Sequence, residues 1–316
     1  MKRFTGIYTP IVTPFQPDDS LDEAGLVRNV QRWMGTSLTG LVVLGSNAEA
    51  AQLDDDECDR VVDLVREHVP SDRPLIAGTG RESTRATIAA TRRAAAAGVD
   101  AVLVRTPSFF KSQMTADVFV RHYTDVAESS PIPLLLYNVT MFTGVNLQAD
   151  AVERLAVHPN IVGIKESGSD IAQIAEFVSR TPDDFTVLAG SATTLVHALC
   201  AGCDGAILAL AALVPDACNE LLTLVRQSRL DEARTLQRRL LPIAMSIGGT
   251  YGVPGLKAAL HLLGFAAGRP RPPLHSVTPS IVDVIRGQLD ALGVLADLGE
   301  SRGSPLINAH RPAVTR

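Results

Sequence analysis

The sequence predicts an α/β protein: one closed (β/α)8 barrel carrying a C-terminal helical appendage. Three observations predict it. Eight short apolar runs recur with starts 20 to 35 residues apart, which is the room a loop, a crossover helix and a second loop require. Each run is nearly continuous in apolar residues, as a parallel strand covered on both faces reads. The stretches between them have a period near that of an α-helix, with Leu26, Val30 and Trp33 on one face, then Phe119, Tyr123 and Val126, then Ile171, Ile174 and Val178.

The strands are expected at 7–12, 40–44, 75–77, 101–105, 134–137, 161–165, 186–189 and 206–209. Gly98 and Gly202 close helices just before the fourth and eighth of these. No glycine-rich dinucleotide fingerprint follows the first strand, so the closed barrel is favoured over an open doubly wound sheet. Residues 1–214 are assigned to the barrel. Helices at 215–227, 230–246, 253–263 and 279–292 exceed what a barrel needs and are assigned, as 215–299, to an appendage packed on it. Thr278 caps the last helix and Pro279 opens its first turn. Residues 300–316 are polar, carry glycine and proline, and are expected to be disordered.

Composition removes several classes of function. A net charge of -5 with no basic run argues against a nucleic-acid partner. No apolar run approaches the ~18 residues of a membrane helix, and Met-Lys-Arg leads almost at once into the first strand, so a cytoplasmic protein without membrane contact is expected. Cys58, Cys200, Cys203 and Cys218 are too few for a disulfide framework, and the Cys200-Ala-Gly-Cys203 pair has no second pair to complete a metal site. The seven histidines do not cluster at strand ends, so no metal is expected.

A (β/α)8 barrel builds its site at the C-terminal ends of its strands. Those ends hold Gly45-Ser46-Asn47 after the second strand, Tyr137 on the fifth, Lys165 on the sixth and Gly190-Ser191 on the seventh, with Ile207 within the eighth. The only lysines are Lys2, Lys111, Lys165 and Lys257, and of these Lys165 alone emerges from a buried run, Ile161-Val-Gly-Ile. Burial disfavours an ammonium ion and favours the neutral amine that attacks a carbonyl to form a Schiff base. The alternative is a lysine that reaches solvent or pairs with Glu166. Tyr137 could shuttle a proton beside such an imine, or be a core tyrosine bonded locally. Ser46 and Asn47 could bind a carboxylate ahead of a helix at 54–69, or serve only a turn. Their joint placement on one rim favours the chemical reading.

The chain resembles the dihydrodipicolinate synthase / N-acetylneuraminate lyase family of class I, Schiff-base aldolases. The matching pieces are Gly45-Ser46-Asn47-Ala48-Glu49, Leu136-Tyr137-Asn138-Val139 with Thr143-Gly144, Gly163-Ile164-Lys165-Glu166-Ser167, Leu188-Ala189-Gly190-Ser191 and Gly205-Ala206-Ile207, in family order over roughly residues 5–295. The resemblance implies that Lys165 forms the imine, that Tyr137 moves the proton, and that Ser46 and Asn47 hold the carboxylate of a 2-oxo acid such as pyruvate. It adds Ser167 and Ile207 to the substrate-binding set and implies no cofactor beyond the covalent imine. Within the family the likeness is greatest to 4-hydroxy-2-oxoglutarate aldolase, which also has Gly-Ser-Asn and a serine two residues after the lysine; His158-Pro-Asn-Ile-Val-Gly and Tyr251-Gly-Val-Pro-Gly-Leu-Lys match it as well. That reaction yields pyruvate and glyoxylate.

Four positions depart from the family. Phe142 stands where the synthases carry an arginine for the carboxylate of aspartate semialdehyde. Phe109-Phe110 replaces a tyrosine pair, one member of which completes a proton relay across a subunit interface, so Phe110 lacks the hydroxyl. Thr140 replaces a proline. A sugar-acid dehydratase, a 2-keto-3-deoxy sugar acid aldolase, a synthase-like condensation and a non-catalytic 2-oxo acid binder therefore remain as alternatives. Two adjacent phenylalanines on a loop also predict a homo-oligomer, a dimer of dimers.

Overall fold

A computed structural model describes residues 4–295. The tail expected at 300–316 and Lys2 lie outside the described residues. Eight parallel strands close a barrel in sequence order: β1 (Gly6–Pro10), β2 (Gly40–Val43), β3 (Leu75–Gly78), β4 (Ala101–Arg105), β5 (Leu134–Asn138), β6 (Ile161–Glu166), β7 (Thr186–Ala189) and β8 (Gly205–Ile207). β1 is shorter than expected: the last bond to β2 is from the Ile11 N–H to the Val42 carbonyl at 3.0 Å, and Val12 is buried beyond it without a ladder partner in β2. β8 also ends early. Leu208 donates its N–H to the Tyr8 carbonyl at 3.0 Å, and Ala209–Ala212 then turns as a 3-10 helix, so the chain curls over the rim instead of extending it.

A ring of helices surrounds the barrel. Asp54 caps the helix Asp55–His68 reciprocally with Glu57, which is why that helix starts directly after the second loop. The helix Pro215–Arg226, expected to open the appendage, packs on β1 and on the helix Leu195–Cys200 and so takes the eighth place in the ring. The division drawn at residue 214 therefore falls one helix too early. Leu230–Met245, Gly252–Leu262 and Pro279–Asp290 follow it and pack on one another. No described helix is long and apolar enough to cross a membrane.

Burial separates the strand residues into two sets. Leu134, Leu136, Val102, Val104 and Val187 pack outward on the helices. Tyr8, Val42, Ile76, Leu103, Leu135, Tyr137, Leu188 and Ile207 fill the barrel interior. β6 breaks the simple alternation. Ile161 and Ile164 both face outward although they are separated by an even number of residues, because β6 carries an extra residue opposite the Leu134/Leu135 step of β5. The inserted residue changes the parity of all that follows on β6, so Lys165 faces inward beside Tyr137 and Glu166 faces outward.

Gly163 makes this irregularity possible. A Cβ there would overlap the Thr186 carbonyl oxygen and stand 2.9 Å from Leu135 Cδ2. Gly163→Ala is accordingly expected to cost about 1–3 kcal/mol through overpacking, read as a lowered urea midpoint with an unchanged slope. An alanine variant as stable as the parent would show that the strand has room to spare at this point.

Candidate active site

The inward parity of β6 brings its lysine to the register level of Tyr137 on β5 and Leu188 on β7. Lys165 is buried, with Nζ standing 4.2 Å from the centre of the Tyr137 ring. That ring face supplies a favourable quadrupole field. Among the described residues no carboxylate lies within ion-pair distance of Lys165. Glu166, its sequence neighbour, points the other way: its carboxylate accepts from Asn138 Nδ2 at 2.6 Å, from Gln173 Nε2 at 3.0 Å and from the Gly168 N–H. Burial raises the Glu166 carboxyl above the usual carboxylate range, and those three hydrogen bonds only partly oppose it. Pairing of Lys165 with Glu166 is thereby excluded by the parity of the strand.

Tyr137 continues the chain of polar groups. Its hydroxyl shares a hydrogen bond with Ser46 Oγ at 3.3 Å. Ser46 and Asn47 lie in a short 3-10 turn, Ser46–Ala48, flanked by two non-glycine residues in the left-handed region, Leu44 at φ 55 and Glu49 at φ 56. Each such residue stores roughly 1–3 kcal/mol of strain that the surroundings must offset. Thr13 Oγ1 donates to the Ala48 carbonyl at 2.7 Å and Glu49 is fully buried, so the turn is held at its C-terminal end.

These residues line one cavity of about 510 Å3 at the C-terminal mouth of the barrel. Ser46, Asn47, Tyr137, Phe142, Lys165, Ser167 and Ile207 all reach it, as does Thr140. Phe110 does not; it is 68% exposed, edge-on to Phe109 at 5.1 Å between ring centres. Ser167 Oγ is buried without a hydrogen-bond partner among the described residues. A donor and acceptor so placed inside a cavity is available to a ligand. It fits because residue 190 is glycine: a Cβ there would overlap Ser167 Oγ and lie 2.9 Å from Ser167 Cα.

Two features escape the sequence reading. The segment Ser246–Thr250 is a π-helical turn that lines the cavity together with Met245, Gly252 and Val253. Gly248-Gly249 between two helical patterns is the only sequence sign of it. The second is Lys257, expected simply on a helix. It is buried, with Nζ 2.5 Å from Glu49 Oε1 and donating to the Arg269 carbonyl at 3.0 Å. A single lysine in the largely apolar stretch Gly255–Leu263, whose only other polar side chain is His261, is the available signal.

The match to known proteins covers nearly all of the chain. The model of the Dihydrodipicolinate synthetase family matches residues 3–291. The chain belongs to that family. A 4-hydroxy-tetrahydrodipicolinate synthase from Methanothrix thermoacetophila is 36% identical over 296 residues, covering 93% of this chain and 98% of its own. One from Archaeoglobus fulgidus is 34% identical, covering 93% and 100%. The dihydrodipicolinate synthase of Thermotoga maritima superposes with a TM-score of 0.88 at 33% identity, covering 93% of this chain and 100% of that one. The chloride-inhibited dihydrodipicolinate synthase of Acinetobacter baumannii, solved in complex with pyruvate, superposes with a TM-score of 0.87 at 30% identity, covering 92% and 99%. The protein is thus a barrel enzyme of the class I aldolase type, as its motifs imply.

The packing of Ser167 on Gly190 gives a direct test of the site's construction. Gly190→Ala should lose about 1–3 kcal/mol in urea unfolding, and adding Ser167→Ala should recover part of that loss, since the hydroxyl it collides with is gone. Strictly additive losses would mean that the two residues do not bear on each other.

Proposed function

We propose that this family member is a pyruvate-yielding aldolase that holds a 2-oxo acid as an imine on Lys165. The observation that carries this reading is that, among the described residues, Lys165 and Tyr137 are the only ionisable side chains lining the cavity, and that they stand at one register level on adjacent strands. In the reaction the amine of Lys165 adds to the C2 carbonyl and water leaves, giving the imine. Ser46 and Asn47 receive the carboxylate. Tyr137 gives its proton to the departing carbinolamine hydroxyl, and the phenolate so formed, hydrogen-bonded by Ser46, then takes the proton of the 4-hydroxyl. The C3–C4 bond then breaks, its electron pair moves into the enamine, and an aldehyde departs. Protonation at C3 and hydrolysis release pyruvate and restore the lysine. The pyruvate complex of the Acinetobacter relative supports a 2-oxo acid at this place.

The substrate proposed first is 4-hydroxy-2-oxoglutarate, giving pyruvate and glyoxylate, on the strength of the Gly45-Ser46-Asn47 turn and of Ser167 inside the cavity. Phe142 offers no charge to the carboxylate of aspartate semialdehyde and so weighs against the synthase reaction named for the relatives; it offers none to the distal carboxylate of 4-hydroxy-2-oxoglutarate either, and does not itself favour that substrate. A second reading has its own observation. Apart from Lys165 no described residue of the cavity lining is a cation for a second carboxylate, while Thr140, Ser169, Ser191, Thr193 and Thr250 present hydroxyls. That composition favours the neutral, hydroxylated tail of a 2-keto-3-deoxy sugar acid, cleaved or dehydrated through the same imine.

Borohydride with pyruvate should fix one adduct, on Lys165, and Lys165→Ala should abolish both adduct and turnover. Tyr137→Phe should still form the imine while kcat falls by the ~10²–10⁴ typical of a lost acid–base group. An adduct on Lys111 or Lys257 would overturn the mechanism. Pyruvate plus glyoxylate from 4-hydroxy-2-oxoglutarate supports the first substrate, pyruvate plus a hydroxyaldehyde the second. A product that keeps every carbon identifies a dehydratase. Adduct without any turnover identifies a binding protein.

We also propose a homo-oligomer, a dimer of dimers. Phe109 and Phe110 are 78% and 68% exposed, and Met141 and Phe142 on the next loop are 59% and 57% exposed. The two loops touch where the Lys111 side chain lies against Gly144. So large an apolar surface is ordinarily covered by another subunit. Light scattering at micromolar concentration should give a tetramer, and Phe109→Asp with Phe110→Asp should dissociate it; a monomeric parent would refute the assignment.

A further inference from the structure

We propose that Glu49 and Lys257 are positioning residues: a buried charge pair through which the C-terminal segment sets the Ser46–Asn47 turn for the substrate carboxylate. The inference rests on the reading of that turn as the carboxylate site. Glu49 ends the turn in the left-handed region, a conformation its own backbone disfavours, and its side chain is wholly buried. Both of its oxygens are taken by one stretch of chain. Lys257 Nζ lies 2.5 Å from Oε1, and the Arg271 N–H donates to Oε2 at 2.8 Å. Lys257 also donates to the Arg269 carbonyl, and the Lys257 ammonium and Arg271 guanidinium stand 4.4 Å and 4.2 Å from the centre of the Phe15 ring.

Arg271 extends the clamp to the far side of the loop. Its guanidinium binds both oxygens of Glu57 at 2.7 Å and donates to the Gln52 carbonyl at 2.8 Å and to the Asp19 carbonyl at 2.6 Å. Glu57 belongs to the capping box of the helix that follows the loop. The loop from Ser46 to Glu57 is therefore fixed at Glu49, at Gln52 and at Glu57 by residues 257–271. None of these three contacts faces the cavity, and neither Glu49 nor Lys257 lines it. They act on substrate only through the turn they hold. A buried charge pair suits this task because loss of one partner leaves a charge that must find water, so the geometry is kept strictly or not at all.

The experiment measures the pyruvate concentration that half-saturates borohydride trapping on Lys165, together with KM, kcat and the unfolding midpoint, in Glu49→Gln, Lys257→Met and the double variant. A displaced carboxylate turn weakens ground state and transition state alike, so half-saturating pyruvate and KM should each rise about tenfold or more while kcat stays within about threefold. The double variant has no unpaired charge and should regain stability, yet keep the raised KM, because glutamine and methionine cannot rebuild the clamp. It carries the test if the single variants do not fold. Unchanged half-saturation in a folded variant overturns the proposal, as does a KM that returns to the parental value in the double variant along with its stability. Failure of the parent itself to trap pyruvate on Lys165 refutes the imine reading instead, and a parent that traps while the variants match it refutes only the positioning role.

Discussion

Everything at the mouth of this barrel depends on the parity of one strand. β6 has to present a lysine to the interior and a glutamate to the helices, yet the outward-facing Ile161 fixes the opposite phase at its start. The extra residue near Gly163 resolves that conflict. It costs ladder regularity and demands a residue without a side chain where Thr186 and Leu135 close in. In return Lys165 arrives beside Tyr137, and Glu166 finds three donors between barrel and helices. In the opposite phase Lys165 would leave the cavity and Glu166 would lose those three donors, and a buried carboxylate without donors is penalised by several kcal/mol.

Among the described residues two lysines are buried, and they are treated in opposite ways. Lys257 meets a carboxylate, a carbonyl and an aromatic ring, and desolvation still holds its ammonium below the ordinary lysine range. Removing one partner from such a pair typically costs about 3–5 kcal/mol. Lys165 meets only a ring face and an open cavity. A structural lysine is satisfied by its surroundings; a nucleophilic one needs space for the carbonyl it will attack. The contrast also explains how a segment remote from the cavity can bear on it, since the carboxylate that neutralises Lys257 terminates the turn carrying Ser46 and Asn47.

The cavity is polar in an unusual sense. Its hydroxyl groups come from four different strand ends and from the π-helical turn Ser246–Thr250, while Phe142 and Met141 form the outer lip. Hydroxyls can donate or accept without imposing a sign of charge, so they tolerate a variable tail behind a fixed carboxylate and carbonyl. This separates the two halves of the site. On the proposed reading, the inner half, around Lys165, takes the 2-oxo acid and the outer half decides which one.

The sequence by itself determined the barrel, its eight strands and the four helices that follow them, because apolar periodicity and glycine at helix ends act over a few residues. It also determined which lysine and tyrosine stand at adjacent strand ends, since strand order in such a barrel follows chain order. What the tertiary structure decided is everything that turns on phase or on distant partners. Ile161-Val-Gly-Ile reads equally well with or without an extra residue, so nothing local says whether Lys165 or Glu166 faces inward. Glu49 and Lys257 each look like ordinary polar residues until folding brings the second loop against the eleventh-hour helix Gly252–Leu262. The eighth ring helix reads from sequence as part of the appendage for the same reason: its apolar face is legible, but only closure of β8 on β1 shows what that face covers. Local spacing fixes what each segment becomes, whereas burial and charge pairing between segments are settled only when the chain is closed upon itself.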